Sequence, residues 1–519
     1  MHPLRVLTAA TIIWACVAQG AELRIGVAAD VTSMDPHFLN LQPNVNVSWH
    51  VFDALTHVNE DARLIPGLAT SWRAVNATTW EFRLRRGVKF HDGSDLTAED
   101  VVFSIERTFL VPNGQFRTFT QRIVRKQIVD AHTLRLTTAT PYAMVPYDLN
   151  SVFIVSKKAA AGARPEDFDS GKAMIGSGSF RFVRFARGDR VELARNNGYW
   201  GNRSAWEKVV FRIVPTDPAR LAGLLSGDLD AIEQVPTADL PRIRRDPKLR
   251  TAQKVSWRTI FFHLDQRSAA PPGLADKAGR PLARNPFRDV RVRQALSKAI
   301  NRQAIAERLM DGAALPASNL VSPPVFGHAP DLKPEAYDPD GARRLLAEAG
   351  YPDGFAIVLA SPNNRYVNDE QIAQAVAQML ARIGVRARVE ALPISTYLTK
   401  GRNAEFGFAM LGWGSFSGDL ALRSLVATVN ADKGLGAFNW SGYSNPRVDE
   451  FLERAFASVE EKRREALAQE AMRFAMRDYA VIPLHHQIVT WALRRGLAYS
   501  GRTDEFTLAH HISGQMTRQ

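Results

Sequence analysis

Apolar and polar positions alternate most clearly between Thr79 and Arg107, in the stretch TWEFRLRRGVKFHDGSDLTAEDVVFSIER. Trp80, Phe82 and Leu84 point one way and Glu81, Arg83 and Arg85 the other, which predicts a half-buried strand. His91-Asp92-Gly93-Ser94 carries turn chemistry, because Gly tolerates positive φ and Asp bonds the nearby backbone. Thr97 then stands where a helix needs a cap, with Glu99 and Asp100 suited to the positive end of its dipole. Elsewhere Leu23, Ile25 and Val27 alternate as a strand, ended by a turn at Ser33-Met34-Asp35-Pro36 and a loop to Asn46. Leu221 to Leu225 heads a short helix, and Leu229, Ala231 and Ile232 re-enter a sheet. Thr259 to Asp265 reads as a strand, followed by a looser stretch from Ala269 to Pro286 and a helix from Val290 to Ile300.

The clearest unit comes next. Phe355 to Ala360 is an apolar strand. Asp369 to Ile383 is a helix with a stripe of Ile372, Val376, Met379, Leu380 and Ile383. Val385 to Leu392 is the next strand. Gly384 sits where a left-handed C-terminal residue is wanted. Strand, helix and strand at this length predict a right-handed parallel crossover. Phe406 to Gly412 is a further strand running into Trp413. Amphipathic helices follow at Pro446 to Phe456 and Glu460 to Arg477, and then Ile482-Pro483-Leu484 and Ile488 to Ala492.

The 519 residues are enough for two or more domains. The first 20 residues read as an export signal. Arg5 gives a positive start, Val6 to Val17 is apolar but too short to span a bilayer, and Ala18-Gln19-Gly20 suits a signal peptidase. The sole Cys, Cys16, lies inside it. Trp14 fits a lipoprotein cleavage box poorly, so an exported soluble protein is expected rather than a lipid-anchored one. The formal charge of +13 is spread along the chain without a basic run or a nucleic-acid motif, so no nucleic-acid partner is expected.

No phosphate loop, HExxH or GxSxG pattern is present. His485-His486 and His510-His511 are adjacent pairs whose side chains diverge on a strand, so neither makes a metal site alone. Topology favours a binding site instead, because ligands sit beyond the carboxyl ends of parallel strands. Two loops leave such ends: Ser361 to Tyr366 and Trp413 to Asp419. Arg365 offers a planar fork for a carboxylate, beside a helix N-terminus. It reads equally as a surface ion pair. Trp413, with Gly on both sides, can present an indole face or belong to the core. Trp440 in Asn439-Trp440-Ser441-Gly442-Tyr443 is a third candidate, with burial favoured.

The sequence resembles the family-5 extracytoplasmic solute-binding proteins, the peptide, nickel and opine receptors of bacterial ABC importers. The resemblance rests on RRGVKFHDG and LTAEDVVFS in the opening stretch, and on LRIGVAADVTSMDPH and LIPGLATSW upstream of it. It continues with IGSGSFRFVRFARGDRVELARNNGYWG, LLSGDLDAIEQVP, VRVRQALSKAINRQAI and YDPDGARRLLAEAGY. It implies an α/β fold of two lobes, the type II periplasmic-binding-protein architecture, with an extra subdomain in the first lobe and a ligand cleft between lobes. The expected division is a signal at 1–20, lobe I at 21–263 with its subdomain at about 57–174, lobe II at 264–487, and a return to lobe I at 488–519. The loop containing Asn44 would face the cleft or be a plain surface loop. Arg365 matches the carboxylate-binding Arg of dipeptide receptors. The Asp that holds a peptide ammonium there is Phe416 here, and Asp419 matches a later acidic position. GWGSFSGDLALRSL is similar to glutathione-type receptors. The resemblance thus implies a monomeric periplasmic receptor without a cofactor, delivering a small peptide or carboxylate-bearing solute to an ABC permease. A nickel or metal-complex receptor and an exported peptide hydrolase are the alternatives.

Overall fold

The computed structural model describes residues 21–514; the proposed signal segment, with Cys16, lies outside the described residues. The fold is a two-lobed α/β architecture threaded by one mixed sheet. From the second-lobe edge the strands run Arg386–Leu392, Ala356–Pro362, Phe408–Gly414, Leu249–Leu264 and Ile482–Arg494. The first-lobe strands follow: Ala231–Ile232, Glu22–Val27, Lys208–Ile213, Arg190–Arg195 and Phe180–Ala186.

Two long strands join the lobes. Leu249–Val255 pairs with Ile488–Arg494 on the first-lobe side, and Arg258–Leu264 pairs with Phe408–Gly414 on the second. The register shifts between Val255 and Thr259, where each long strand passes from one lobe to the other. Both are longer than expected. The segment before Thr259 carries Arg250, Gln253 and Lys254, and His485-His486-Gln487 interrupts the apolar run of the second. Paired neighbours, rather than apolar periodicity, hold these residues in the sheet. The expected lobe boundaries at 263/264 and 487/488 therefore fall inside continuous strands.

Side-chain alternation along the first crossover strand feeds both faces of the second lobe. Ile260, Phe262 and Leu264 enter one buried cluster and Phe261 the other. The strand–helix–strand unit forms as expected. Ala356–Pro362 and Arg386–Leu392 are parallel, joined through helix Asp369–Ala381 whose Ile372, Val376 and Leu380 are buried. Gly384 sits at φ +85°, and a Cβ on the adjacent Gly354 would approach its carbonyl to 2.2 Å, so the two segments pass too closely for side chains.

A separate four-stranded antiparallel sheet, ordered Ala69–Asn76, Thr79–Leu84, Thr133–Thr138, Ile123–Asp130, forms the small subdomain. Its core holds Trp80, Phe82 and Leu84 with Val101 and Ile105 of helix Ala98–Leu110. Thr97 caps that helix. Its hydroxyl accepts from the Glu99 amide at 3.3 Å, and the Asp100 carboxylate accepts from the Thr97 amide at 3.0 Å. That reciprocal box contributes about 1 kcal/mol.

Candidate functional site

The lobes and the small subdomain converge on a cavity of about 680 Å³. A smaller one of about 280 Å³ adjoins it, sharing Trp257, Arg258, Trp413, Gly414 and Phe438. These shared residues sit where the crossover strand meets the last strand of the parallel unit, with Arg258 opposite Gly414 and Thr259 opposite Trp413. The glycines flanking Trp413 have a different role from the one expected. A Cβ on Gly414 would lie 2.7 Å from the Trp257 indole nitrogen, and one on Gly412 would lie 2.6 Å from the Tyr366 ring. They make room for neighbouring rings, while Trp413 itself packs 4.8 Å from Phe438 and lines both cavities. The cavity is therefore walled by flat aromatic faces, which bind apolar parts of a ligand without specifying them.

Charge is distributed unevenly over these walls. Arg258 donates to both Glu505 oxygens, at 3.2 and 2.9 Å. Burial works against both charges, but their mutual attraction prevails, raising the Arg258 pKa and lowering that of Glu505. Arg365 lines the smaller cavity, and no carboxylate pairs with it among the described residues. Its backbone amide is held by Asp369 at 2.9 Å, and its guanidinium lies 5.5 Å from the Tyr366 ring. Arg365 is exposed; partial desolvation by the surrounding protein, then repulsion from Arg258, lowers its pKa. An added anion would relieve that repulsion. At the opposite end, in the small subdomain, Asp148 accepts from the Tyr142 hydroxyl at 2.8 Å. Burial raises the Asp148 pKa to about 7, against the lowering pull of Tyr142, Arg423, Arg122 and Arg464. Sequence reasoning missed Arg258, Asp148, Arg122 and Arg423. Only Asp148 carried a signal: a lone acid inside the apolar run Tyr142 to Leu149.

Residues 63–424 match the bacterial extracellular solute-binding proteins, family 5 (middle). The chain belongs to this family. Among its relatives, Heme-binding protein A of Haemophilus influenzae is 27% identical over 455 residues, covering 82% of this chain and 79% of that one. The Dipeptide-binding protein of Escherichia coli is 29% identical over 450 residues, covering 80% and 79%. The solved structure of HbpA2 from Haemophilus parasuis superposes with a TM-score of 0.81 at 24% identity, covering 95% of this chain and all of that one. The family and these relatives are binding proteins, and the protein serves as the substrate-binding receptor of an ABC importer.

Within this family-5 receptor the six candidate residues fall into two groups. Arg365, Trp413 and Phe416 line the cavities. Phe416 stacks on Tyr147 of the small subdomain, with centroids 5.8 Å apart and planes 11° from parallel, so it ties the second lobe to the subdomain. The other three do not reach the cleft. Asn44 is not on a loop: it lies in helix Gln42–Val51, buried on the face opposite Gln42, Val45 and Trp49, which line the cavity. Its amide donates to the Ser33 carbonyl at 2.8 Å. The strand-like alternation Asn-Val-Asn-Val hid that helix, which Pro43 starts. Asp419 is fully buried and accepts from Arg464 Nε at 2.8 Å, which holds the 415–420 turn behind the wall. Trp440 is core, near His263, Tyr397 and Phe406.

Of the paired histidines, His485 and His486 are buried, whereas His511 is exposed. Burial lowers His485 to about 4 and His486 to about 3, leaving both neutral, with His486 Nδ1 2.9 Å from the Thr259 hydroxyl. Among the described residues no group of three or more His, Cys, Asp or Glu could hold a metal ion, and no helix is long and apolar enough to cross a membrane.

Proposed function

We propose that this receptor binds a small peptide or peptide-like solute bearing a carboxylate, in the cleft between its lobes, and hands it unchanged to the permease. The observation that carries the reading is the Arg365 guanidinium, held at the cleft edge without a carboxylate and beside aromatic walls. Contacts made to both lobes exist only when the lobes close, so the ligand shifts the population toward the closed form that the permease recognises. The names of the relatives, a dipeptide-binding and a heme-binding protein, support solutes that carry carboxylates. The protein acts as an exported monomer in the periplasm, takes no nucleic acid, and does not turn its ligand over.

A thermal-shift screen tests this, with dipeptides, glutathione, heme and a nickel–histidine complex as separate arms. A solute that binds only the folded state stabilises it by RT ln(1 + [L]/Kd), about 2.7 kcal/mol at a hundredfold excess over Kd. A carboxylate-bearing peptide should raise the melting temperature with the logarithm of its concentration and be recovered intact. A shift with the nickel complex alone, or hydrolysis of the peptide with turnover, replaces this reading with the corresponding alternative.

A further inference from the structure

The far end of the first lobe carries positive charge that the fold leaves without counter-charge. The two long crossover strands end together there, with Leu249 opposite Arg494, and the turn after helix Leu240–Arg245 runs into the first of them. The Arg495 amide donates to the Lys248 carbonyl at 2.8 Å, which joins the 242–250 and 494–495 segments into one surface. Arg242, Arg244, Arg245, Lys248, Arg250 and Arg495 are all exposed on it. Arg244, Arg250 and Arg495 donate to the Gln253 side-chain oxygen and to the Leu497 and Pro247 carbonyls, at 3.2, 3.2 and 2.6 Å. Those acceptors are neutral. Arg242, Arg245 and Lys248 have no side-chain partner among the described residues. The acids nearby are already engaged. Asp230 is buried and bound by Arg24 at 3.0 Å, Asp246 accepts from the Lys248 amide at 2.8 Å, and Asp228 accepts from the Ser226 hydroxyl at 2.9 Å.

This surface lacks the composition of a protein-binding hot spot. Leu240, Ile243, Leu249 and Leu497, the large apolar residues among the charges, are all buried, whereas interface centres rest on exposed apolar and aromatic anchors. Nor does it converge on the solute site, because none of the six cations lines either cleft cavity. Diffuse positive charge without an apolar anchor is complementary to a sheet of phosphates, where each basic residue adds attraction without needing a fixed partner. We propose that this end of the first lobe docks on an anionic phospholipid surface through the lipid phosphates. The permease is embedded in a membrane, so docking confines the receptor's search for it to two dimensions. At about 3.3 Å per residue, Leu249 stands roughly 26 Å along its strand from Trp257, which keeps docking and solute binding apart. The inference is independent of which solute the cleft takes.

Cosedimentation of the mature protein with vesicles at about 0.02 M salt tests this. Vesicles of equal parts phosphatidylglycerol and phosphatidylcholine should bind it, vesicles of phosphatidylcholine alone should not, and about 0.3 M salt should release it. The triple variant Arg242→Glu, Arg245→Glu, Lys248→Glu should weaken binding at least about tenfold. The control triple Lys277→Glu, Arg402→Glu, Lys462→Glu makes the same change of net charge at exposed, unpaired cations scattered over the second lobe, and should weaken it less than about threefold. Both triples should keep the wild-type melting temperature. If the first does not, Arg242→Gln, Arg245→Gln, Lys248→Gln takes its place, with a loss of at least about fivefold expected. Equal losses in patch and control variants would show that net charge alone acts, and would overturn the docking surface. Absence of binding to the anionic vesicles, or binding that persists at about 0.3 M salt, overturns it as well. Retention on immobilised polyglutamate without binding to vesicles overturns the lipid and assigns the surface to an acidic protein.

Discussion

Two sets of arginines in this protein have opposite surroundings. Behind the cleft wall, Arg464 donates to Asp419 at 2.8 Å and lies over the Tyr147 and Phe326 rings at 4.3 and 4.2 Å. Arg107 likewise donates to both Asp35 oxygens, at 2.8 and 2.7 Å. In the cleft, Arg122, Arg365 and Arg423 form no ion pair among the described residues. The first set is satisfied by the fold, and its charges are spent on holding turns and helices together. The second set carries no such pair. Identical side chains thus sit paired with a carboxylate behind the wall and without one in the cleft.

Removing a partner from the first set should have the largest effect, and on folding. Asp419→Ala leaves Arg464 buried without its counter-charge, which typically costs about 3–5 kcal/mol. Chemical denaturation should show that loss directly. A stability within about 0.5 kcal/mol of wild type would mean the aromatic faces alone satisfy Arg464.

Removing a member of the second set should act on binding. Arg365→Ala leaves a ligand carboxylate desolvated and unpaired, about 2–5 kcal/mol or roughly 30- to several-thousand-fold in affinity. Its unliganded melting temperature should hold, and amidating the ligand's carboxylate should mimic the variant. Calorimetry on folded Arg365→Ala with unchanged affinity would place Arg365 among the surface charges.

Asp148 sharpens the contrast, because an unpaired buried acid costs stability rather than adding it. Its folded pKa, about 7, lies above the ordinary carboxylate value because burial disfavours the charged form. The unfolded state therefore ionises first, and native stability falls as pH rises from about 4 to about 7, then levels off. Asp148→Asn removes that slope. At pH 8 the unliganded variant should be more stable than wild type, on the order of 1–3 kcal/mol, with the gap closing toward pH 4. A variant less stable at pH 8 would show that the ionised carboxylate is well paired after all.

The smallest effect should come from an exposed pair. Lys89 and Asp95 sit 2.6 Å apart with more than half of each side chain in solvent. Water already satisfies both, so Lys89→Ala should change stability by less than about 1 kcal/mol and leave ligand affinity alone. A larger loss would undo the distinction between pairing in contact and pairing in water.

Local periodicity was enough for much of the architecture. The alternation at Thr79–Leu84, the Thr97 cap, the helix at Asp369–Ala381 between two parallel strands and the left-handed Gly384 all follow from neighbours within one or two turns of chain. The collinear motifs likewise carry the family, and the strand–loop–helix order puts Arg365 at the mouth of the cleft. What only the tertiary structure decided is which polar residues are satisfied. Asp419 and Asn44 looked available because their partners, Arg464 and the Ser33 carbonyl, come into place only on folding, whereas Trp440, where the sequence favours burial, packs near Tyr397. Arg122 and Arg423 looked unremarkable because their meeting with Asp148 around one cavity depends on folding the subdomain against the second lobe. Burial and pairing are sums over residues distant in sequence, so no local pattern records them, whereas hydrogen-bonded helices and pleated strands are set largely by the residues beside them.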